Sequence, residues 1–402
     1  MRTEPLTAVT VEVPRVPDLL GALEDPSGLA WVEQGEGLVG WGEAGRIEIE
    51  PGPHRFERAL DALAETWASM EVTDEVGLRG SGPVAFGSFT FDPSEEGSVL
   101  VVPSVVVGLR DGRSWVTRIG EQPEFDPTEA EEDDRIRYWG PSAPEMSWLD
   151  AVATAEKAVR NGELEKVVLA RDMRVWSKTA LSPRRLLKRL AQRFPECYSF
   201  SVDGLIGATP ELLVATHGDG MTSVVLAGSV GRGADEKEDE ALGAWLRESA
   251  KDQVEHEVAV RSVTEVLPRF CEALTVGEPT LLKLANVQHL ATEIQGEMRR
   301  GHNALEVAGA LHPTAAVCGL PRDRAMDMIR RLEGMSRARY AGPVGWVDAQ
   351  GNGEWGIALR CAELDGGSAR LFAGGGIVAG SIPEDELDET RIKLLAMQSA
   401  LG

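Results

Sequence analysis

Two carboxylates and an ammonium group recur at helical spacing near the end of the chain. Glu386, Glu389 and Lys393 fall at i, i+3 and i+7, so a helix would set them on one face. Ahead of them stand Gly374, Gly375 and Gly376, and then Pro383, which suits the first turn of a helix with acidic residues following it. Successive glycines let another group approach the backbone closely. Bare amides, two carboxylates and one ammonium group on a single spot would suit a metal ion together with an anionic ligand. A second acidic row, Glu248, Asp252 and Glu255, falls at i, i+4 and i+7. Like charges so placed repel, and a solvated helix face is the ordinary reading of them. Two helices that each offer carboxylates nevertheless make a hard-oxygen site of the kind Mg²⁺ takes. A softer metal would want Cys or clustered His, and the four cysteines (Cys197, Cys271, Cys318 and Cys361) are far apart, with no CxxC pair.

Other candidates stand singly. Lys166 lies early in the apolar run Val167-Val168-Leu169. A lysine there either reaches back to solvent or points into a pocket, where a desolvated amine near another cation loses its proton more readily and can act as a base. Glu211 follows Thr209-Pro210 at a turn between strands, as a plain turn residue or as a general acid whose affinity for its proton is raised by burial. Arg360 ends the apolar stretch Ile357-Ala358-Leu359 and offers a planar fork for a carboxylate. His289 alone reads as a core histidine. The stretch Gly228-Ser229-Val230-Gly231-Arg232-Gly233 lacks the GKS or GKT of a P-loop and the G-x-G-x-x-G spacing, which argues against nucleotide binding.

These groups need elements to hold them. The first 120 residues read as strands, with one helix over 53–70 and single strands over 99–109 and 114–119. Residues 121–145 turn acidic and proline-rich and read as an exposed linker. It divides the chain into a strand-rich part, 1–145, and a catalytic region, 146–402. In that region the pattern predicts a helix over 147–161 with Ser147 as its N-cap, and a strand over 165–176 carrying Lys166. One long helix is expected over 235–267. Single β segments are expected over 281–294, 353–364 and 369–378, and a final helix follows Pro383. Strands in hairpin-linked runs imply an α+β class, a large layered fold with antiparallel β-sheets flanked by helices.

The bulk numbers exclude several classes. The chain has 402 residues, 43% hydrophobic and 26% charged, enough for a large core. A formal net charge of −24 argues against nucleic acid, whose phosphates need clustered Lys and Arg. No apolar run of signal-peptide or membrane-span type is present, so a cytoplasmic protein is expected.

Taken together, the segments Lys166-Val167-Val168-Leu169-Ala170-Arg171, Gly207-Ala208-Thr209-Pro210-Glu211, Leu226-Ala227-Gly228-Ser229, Lys251-Asp252-Gln253-Val254-Glu255-His256, Asn286-Val287-Gln288-His289-Leu290, His312-Pro313-Thr314 and Tyr340-Ala341-Gly342-Pro343-Val344-Gly345 resemble the chorismate-utilising enzymes. The likeness is strong from about Ser147 onward and weaker before it, where Phe91-Asp92-Pro93 is the best match. The resemblance implies Mg²⁺ held by Glu255 and Glu389, with Asp252 and Glu386 helping nearby. It implies that Arg360, Tyr340 and Lys393, with the amides of Gly374, Gly375 and Gly376, hold the carboxylates of chorismate. His289, Gly228, Ser229 and Ala316 would line the pocket. Lys166 as the base that activates water and Glu211 as the acid that helps a hydroxyl leave resemble the isochorismate and salicylate synthases. Ammonia-using relatives typically lack that lysine. Ala227 stands where aminodeoxychorismate synthases carry a nucleophilic lysine, and Ala316 where salicylate synthases tend to have threonine. Ser229-Val230-Gly231-Arg232 departs from the commoner Thr-x-Pro-Arg. Isochorismate synthase is therefore expected, as a monomer with no glutaminase subunit. Salicylate synthase, anthranilate synthase component I and a non-catalytic protein of the same fold stay open as alternatives.

Overall fold

The computed structural model describes residues 6–120 and 135–402. Most of the acidic stretch read as a linker, residues 121–134, therefore lies outside the described residues. Two large sheets carry the fold. The larger runs from Arg137–Gly140 through Lys166–Trp176, Ser368–Ile377, Cys361–Asp365, Leu205–Thr209, Tyr198–Val202, Leu29–Glu33, Glu36–Trp41, Val105–Arg110, Arg113–Ile119 and Leu6–Val13 to Met70–Asp74. The second runs from Cys271–Val276 through Val287–Met298, Gly220–Gly231, Leu212–His217, Gly353–Ile357, Pro343–Asp348, Val84–Ser88 and Ser98–Val102 to Gly45–Ile49. Neighbours pair antiparallel, except for Leu6–Val13 with Met70–Asp74. The class is α+β, as the hairpin-linked strands predict. Each sheet takes strands from both sides of residues 121–134: Tyr198–Val202 pairs with Leu29–Glu33, and Pro343–Asp348 with Val84–Ser88.

The core follows from the alternation of side chains along these strands. Trp31 and Phe200 of the larger sheet and Phe86, Trp346 and Trp355 of the second share one fully buried cluster. A separate cluster packs the C-terminal helix Pro383–Leu401 through Leu394, Met397 and Leu401 against Leu186, Leu187 and Leu190 of the helix Pro183–Arg193. Each such buried leucine contributes about 1.5–3 kcal/mol. These contacts anchor the helix that carries Glu386, Glu389 and Lys393. No helix among the described residues is long and apolar enough to cross a membrane.

Five boundaries differ from the pattern-based expectation, each for a local reason. The helix expected at 147 starts at Glu145, with Pro144 in extended geometry as its cap, so Ser147 is an interior residue. The segment 99–109 is two strands in different sheets, Ser98–Val102 and Val105–Arg110, separated at Pro103, which has no amide hydrogen to donate. The long helix 235–267 is two helices, Glu236–Glu248 and Ala250–Thr264. Ser249 breaks it with an extended backbone, and its side chain accepts from the Asp252 amide to cap the second helix. Residues 281–294 span two paired strands, Thr280–Lys283 and Val287–Met298. Residues 353–364 split into Gly353–Ile357 and Cys361–Asp365, in different sheets, around Arg360 at φ +47°.

Candidate active site

The strand Lys166–Trp176, its neighbour Ser368–Ile377, the bulged strand Gly220–Gly231, and the helices Ala250–Thr264 and Pro383–Leu401 meet at one cavity. Lys166, Glu211, Gly228, Ser229, Glu255, His289, Ala316, Tyr340, Arg360, Gly374, Gly376 and Lys393 are all at or against it. Val168, Pro210, Leu226, Val317 and Leu359 supply its apolar wall. These five went unnoticed as site residues because an apolar side chain beside a motif carries no signal that it faces a cavity rather than the core. The break at Ser249 removes Glu248 from the acidic row: it ends the preceding helix and is exposed. Asp252 and Glu255 remain on the site helix, buried.

Each glutamate at the site faces a lysine. Lys166 is wholly buried, and its Nζ lies 3.1 Å from Glu255 Oε1. That approach is off the line of a hydrogen bond, so the ammonium group has no hydrogen-bond partner among the described residues. Lys251 Nζ donates to Glu386 Oε1 at 2.7 Å, while Glu386 Oε2 is buried without a hydrogen-bond partner among the described residues. Lys393 Nζ lies 2.5 Å from Glu389 Oε1 and also donates to Gly374 O at 2.9 Å. Burial and neighbouring Glu389 push the Glu386 carboxyl up despite Lys251. Burial acts the same way on Glu389, but Lys393, Lys251 and a bond from Ser229 outweigh it and hold that carboxyl below its usual range. The Asp252 carboxyl is raised by burial and Glu255, against a 2.5 Å bond from Ser249 Oγ. Lys251, quoted within a motif but given no role, thus belongs to the cluster.

The three glycines lie in the strand Ser368–Ile377, within the β segment expected over 369–378, opposite Ala170, Leu169 and Val168. Residues of an antiparallel pair alternate between facing the partner strand and facing away. Val168 and Ala170 donate away from this pair, to Cys318 O and Glu333 Oε1, both at 2.8 Å. Their partners Gly376 and Gly374 therefore turn their amides toward the cavity, and Gly375 is tied into the ladder with Leu169. The missing side chains leave room for carboxylates. A Cβ on Gly376 would stand 2.0 Å from Glu255 Oε1, and one on Gly375 would stand 3.1 Å from Glu386 Oε2. A Cβ on Gly374 would meet Leu169 O at 3.0 Å and Tyr340 Oη at 3.1 Å.

The opposite wall is cationic and aromatic. Arg360 sits in the left-handed region, an unusual backbone for a non-glycine residue and one that marks functional positions. Its Nη2 donates to His289 Nε2 at 3.0 Å, and its Nε is buried without a hydrogen-bond partner among the described residues. Burial, then Arg360 and Lys393, hold His289 well below its ordinary pKa. Its ring is therefore neutral, accepts at Nε2, and gives its remaining N–H to the Gly228 backbone. Gly228, at φ +77°, forms a bulge in its strand and brings Ala227 and Ser229 past the Asp252 side chain. His256 ties the site helix to two strands through Ala227 O (3.1 Å) and Thr292 Oγ1 (2.7 Å). Tyr340 stacks on Phe372 with ring centroids 5.1 Å apart.

Glu211 is buried at the turn between two strands of different sheets, its amide bound to Thr209 Oγ1. Burial pushes its pKa up to about 8, and Lys166, the Leu226 backbone, Arg360 and Lys393 only partly offset this. It therefore holds a proton at neutral pH, facing a buried amine, which is the pairing that general acid–base chemistry needs. The free space is small, about 50 Å³, against roughly 300–1,000 Å³ for ordinary ligand pockets.

A brace behind the cavity was not legible from spacing alone. Glu333 and Arg337 form a buried ion pair at 2.5 Å; Arg337 also donates to Val317 O and Val168 O, each at 2.8 Å, and lies over the Phe91 ring. It joins the Lys166 strand to the segment carrying Ala316 and Val317. The i, i+4 spacing of Glu333 and Arg337 was its one signal.

Among the described residues no three Asp, Glu, His or Cys groups converge closely enough to hold an ion by themselves. The donors present are hard carboxylate oxygens from two helices, one of them the unpartnered Glu386 Oε2. That set fits Mg²⁺, which takes one or two protein carboxylates and fills its remaining positions with water and substrate oxygen.

A family model described as "Chorismate binding enzyme" matches residues 29–402. Isochorismate synthase DhbC of Bacillus subtilis is 38% identical over 375 residues, covering 89% of this chain and 90% of the relative. Isochorismate synthase MenF of the same organism is 34% identical over 369 residues, covering 83% and 78%. The solved structure of MenF, the menaquinone-specific isochorismate synthase from Escherichia coli, superposes with a TM-score of 0.81 at 25% identity, covering 99% of this chain and 95% of that one.

Proposed function

The chain belongs to the family of chorismate-binding enzymes, and from that premise we propose that its cavity interconverts chorismate and isochorismate. The observation that carries this reading is the burial, in one cavity, of the amine of Lys166 and of Glu211, a carboxyl that keeps its proton up to about pH 8. Water adds at ring C2 while the C4 hydroxyl departs and the ring double bonds shift between them. Lys166 takes a proton from the attacking water, and Glu211 gives its proton to the departing hydroxyl. One water enters and one leaves, so the formula is unchanged and the exchange should be nearly balanced and reversible.

The other groups divide the work of binding. Arg360 and Lys393 offer their donors to the substrate's carboxylates, with the amides of Gly374 and Gly376 and the hydroxyl of Tyr340 beside them. His289, neutral and bound to Arg360, holds that guanidinium in place. Glu255 and Glu389 would hold Mg²⁺, with Asp252 and Glu386 adjoining. Bound there, the ion would polarise and orient the ring carboxylate. Because the nucleophile is water, no glutaminase partner is expected; a cytoplasmic monomer fits the same reading.

Incubation of the full chain with chorismate and Mg²⁺, with and without ammonia, followed by chromatographic identification of the product, tests the proposal. Isochorismate is expected in both arms. Salicylate with pyruvate, anthranilate in the ammonia arm, or unchanged chorismate would each replace it.

A further inference from the structure

A second charged cavity, about 510 Å³, lies behind the segment that carries Ala316 and Val317. Arg55, Phe56, His312, Pro313, Arg322 and Met326 line it. Arg55 opens the helix Arg55–Ala68 and is only 2% exposed, yet among the described residues it pairs with no carboxylate. Its Nη1 donates to Thr90 Oγ1 at 2.7 Å and to Asp92 O at 3.2 Å. The Asp92 carboxylate itself is taken by Arg330, at 2.6 and 2.8 Å. Among the described residues Arg322 donates only to backbone carbonyls, those of Leu311 (3.2 Å) and His312 (3.5 Å). Two guanidinium groups without carboxylate partners thus face one cavity in a chain of net charge −24.

The surroundings point the same way. His312 is kept neutral first by burial and then by Arg55, Arg322 and Arg337, so the local field is positive. The helix that begins at Arg55 has no side-chain cap, which leaves its first amides without a side-chain acceptor. Phe56, Pro313 and Met326 make the walls apolar. Asp323 and Asp327, both exposed, stand at the rim and disfavour a dianion.

We propose that this cavity binds a small planar carboxylate, gripped by Arg55 and Arg322 with its apolar body against Phe56, Pro313 and Met326. A guanidinium offers a carboxylate two parallel N–H bonds, the geometry that suits this ligand best. His312 and Pro313 touch this cavity, and Ala316 and Val317, a few residues on, touch the catalytic one. The proposal does not depend on the reaction assigned above.

Calorimetric titration of the full chain with benzoate, and in parallel with inorganic phosphate, tests it. The Arg360→Ala background is used so that carboxylate binding in the catalytic cavity is weakened. Benzoate is expected to bind at one site per chain, more tightly than phosphate. Arg55→Met and Arg322→Met, each checked for folding by circular dichroism, should weaken benzoate about tenfold or more, the loss of a charge-assisted bond. Asp327→Asn changes an exposed residue and leaves the fold intact; by removing a like charge it should tighten benzoate about two- to threefold. No binding, phosphate preferred over benzoate, binding indifferent to both arginines, or Asp327→Asn without a gain would overturn the assignment.

Discussion

Two buried clusters of opposite charges lie within one strand's reach of each other, and they are built on different plans. In the brace, the two Glu333 oxygens accept from Arg337, one of them also taking the Ala170 amide, and Arg337 spends its remaining donors on Val317 O and Val168 O. At and around the catalytic cavity, Lys166 Nζ (ion-paired with Glu255), Arg360 Nε and Glu386 Oε2 are buried without a hydrogen-bond partner among the described residues. A buried polar atom left unpaired costs about 1–3 kcal/mol. The brace is bonded on both sides, whereas the cluster at the cavity pairs its lysines with glutamates and still leaves Arg360 Nε and Glu386 Oε2 without a hydrogen bond among the described residues. What separates these two clusters is partner satisfaction, since both are buried and both are charged.

Substitutions can break or sharpen that contrast. Lys166→Ala should lower turnover the most, by about 10²–10⁴-fold for loss of a general base, while Mg²⁺-dependent chorismate binding measured by calorimetry survives. Full activity would remove Lys166 from the chemistry. Arg337→Met, on the satisfied side, should instead lower stability by about 3–5 kcal/mol, because it strands the Glu333 carboxylate; chemical denaturation reads this, and an unchanged midpoint would mean the brace supports nothing. Glu389→Gln should raise the Mg²⁺ concentration needed for half-maximal activity by about 10–100-fold, and an unchanged titration would exclude Glu389 as a ligand.

Smaller effects separate the glycines. Gly376→Ala puts a methyl group 2.0 Å from Glu255 Oε1, whereas Gly375→Ala puts one 3.1 Å from Glu386 Oε2. The first should cut kcat/KM by about tenfold, since misplacing a catalytic group is costly, and the second by less; the reverse order would contradict the roles given to the two carboxylates. The mildest effect is on pH dependence. Glu211 must carry a proton to act as an acid, and its pKa is raised to about 8. The kcat/KM value should therefore hold at neutral pH and fall as pH rises through about 8, by roughly one decade per unit. Glu211→Gln should abolish that limb together with most of the activity.

Much of the site was legible in the chain. Lys166 in an apolar strand, Glu211 after Thr209-Pro210, Glu255 on one helix and Lys393 on another lie at or against the same cavity, while Asp252, Glu386 and Glu389 lie outside its lining. Short-range spacing carries such information because a helix or strand repeats its geometry. Errors arose where one residue overrules the repeat. Ser249 stops a helix whose apolar pattern continues, although Ser249-Ala250-Lys251-Asp252 spells a cap. Arg360, in a backbone region that L residues avoid, passes one apolar run from one sheet to the other.

The sequence by itself determined the element types, the α+β class and the inventory of acids, bases and cations, because these depend on local periodicity and side-chain chemistry. Only the tertiary structure decided which groups are satisfied. Glu333 and Arg337 became a brace, and Glu386 kept one oxygen unpaired, through contacts with strands and segments remote in the chain. It also decided what the three glycines are for. Their succession suggests bare amides, but pairing with the Lys166 strand ties one of them into the ladder and turns the other two to the cavity, and the carboxylates of two distant helices fill the space their side chains would take.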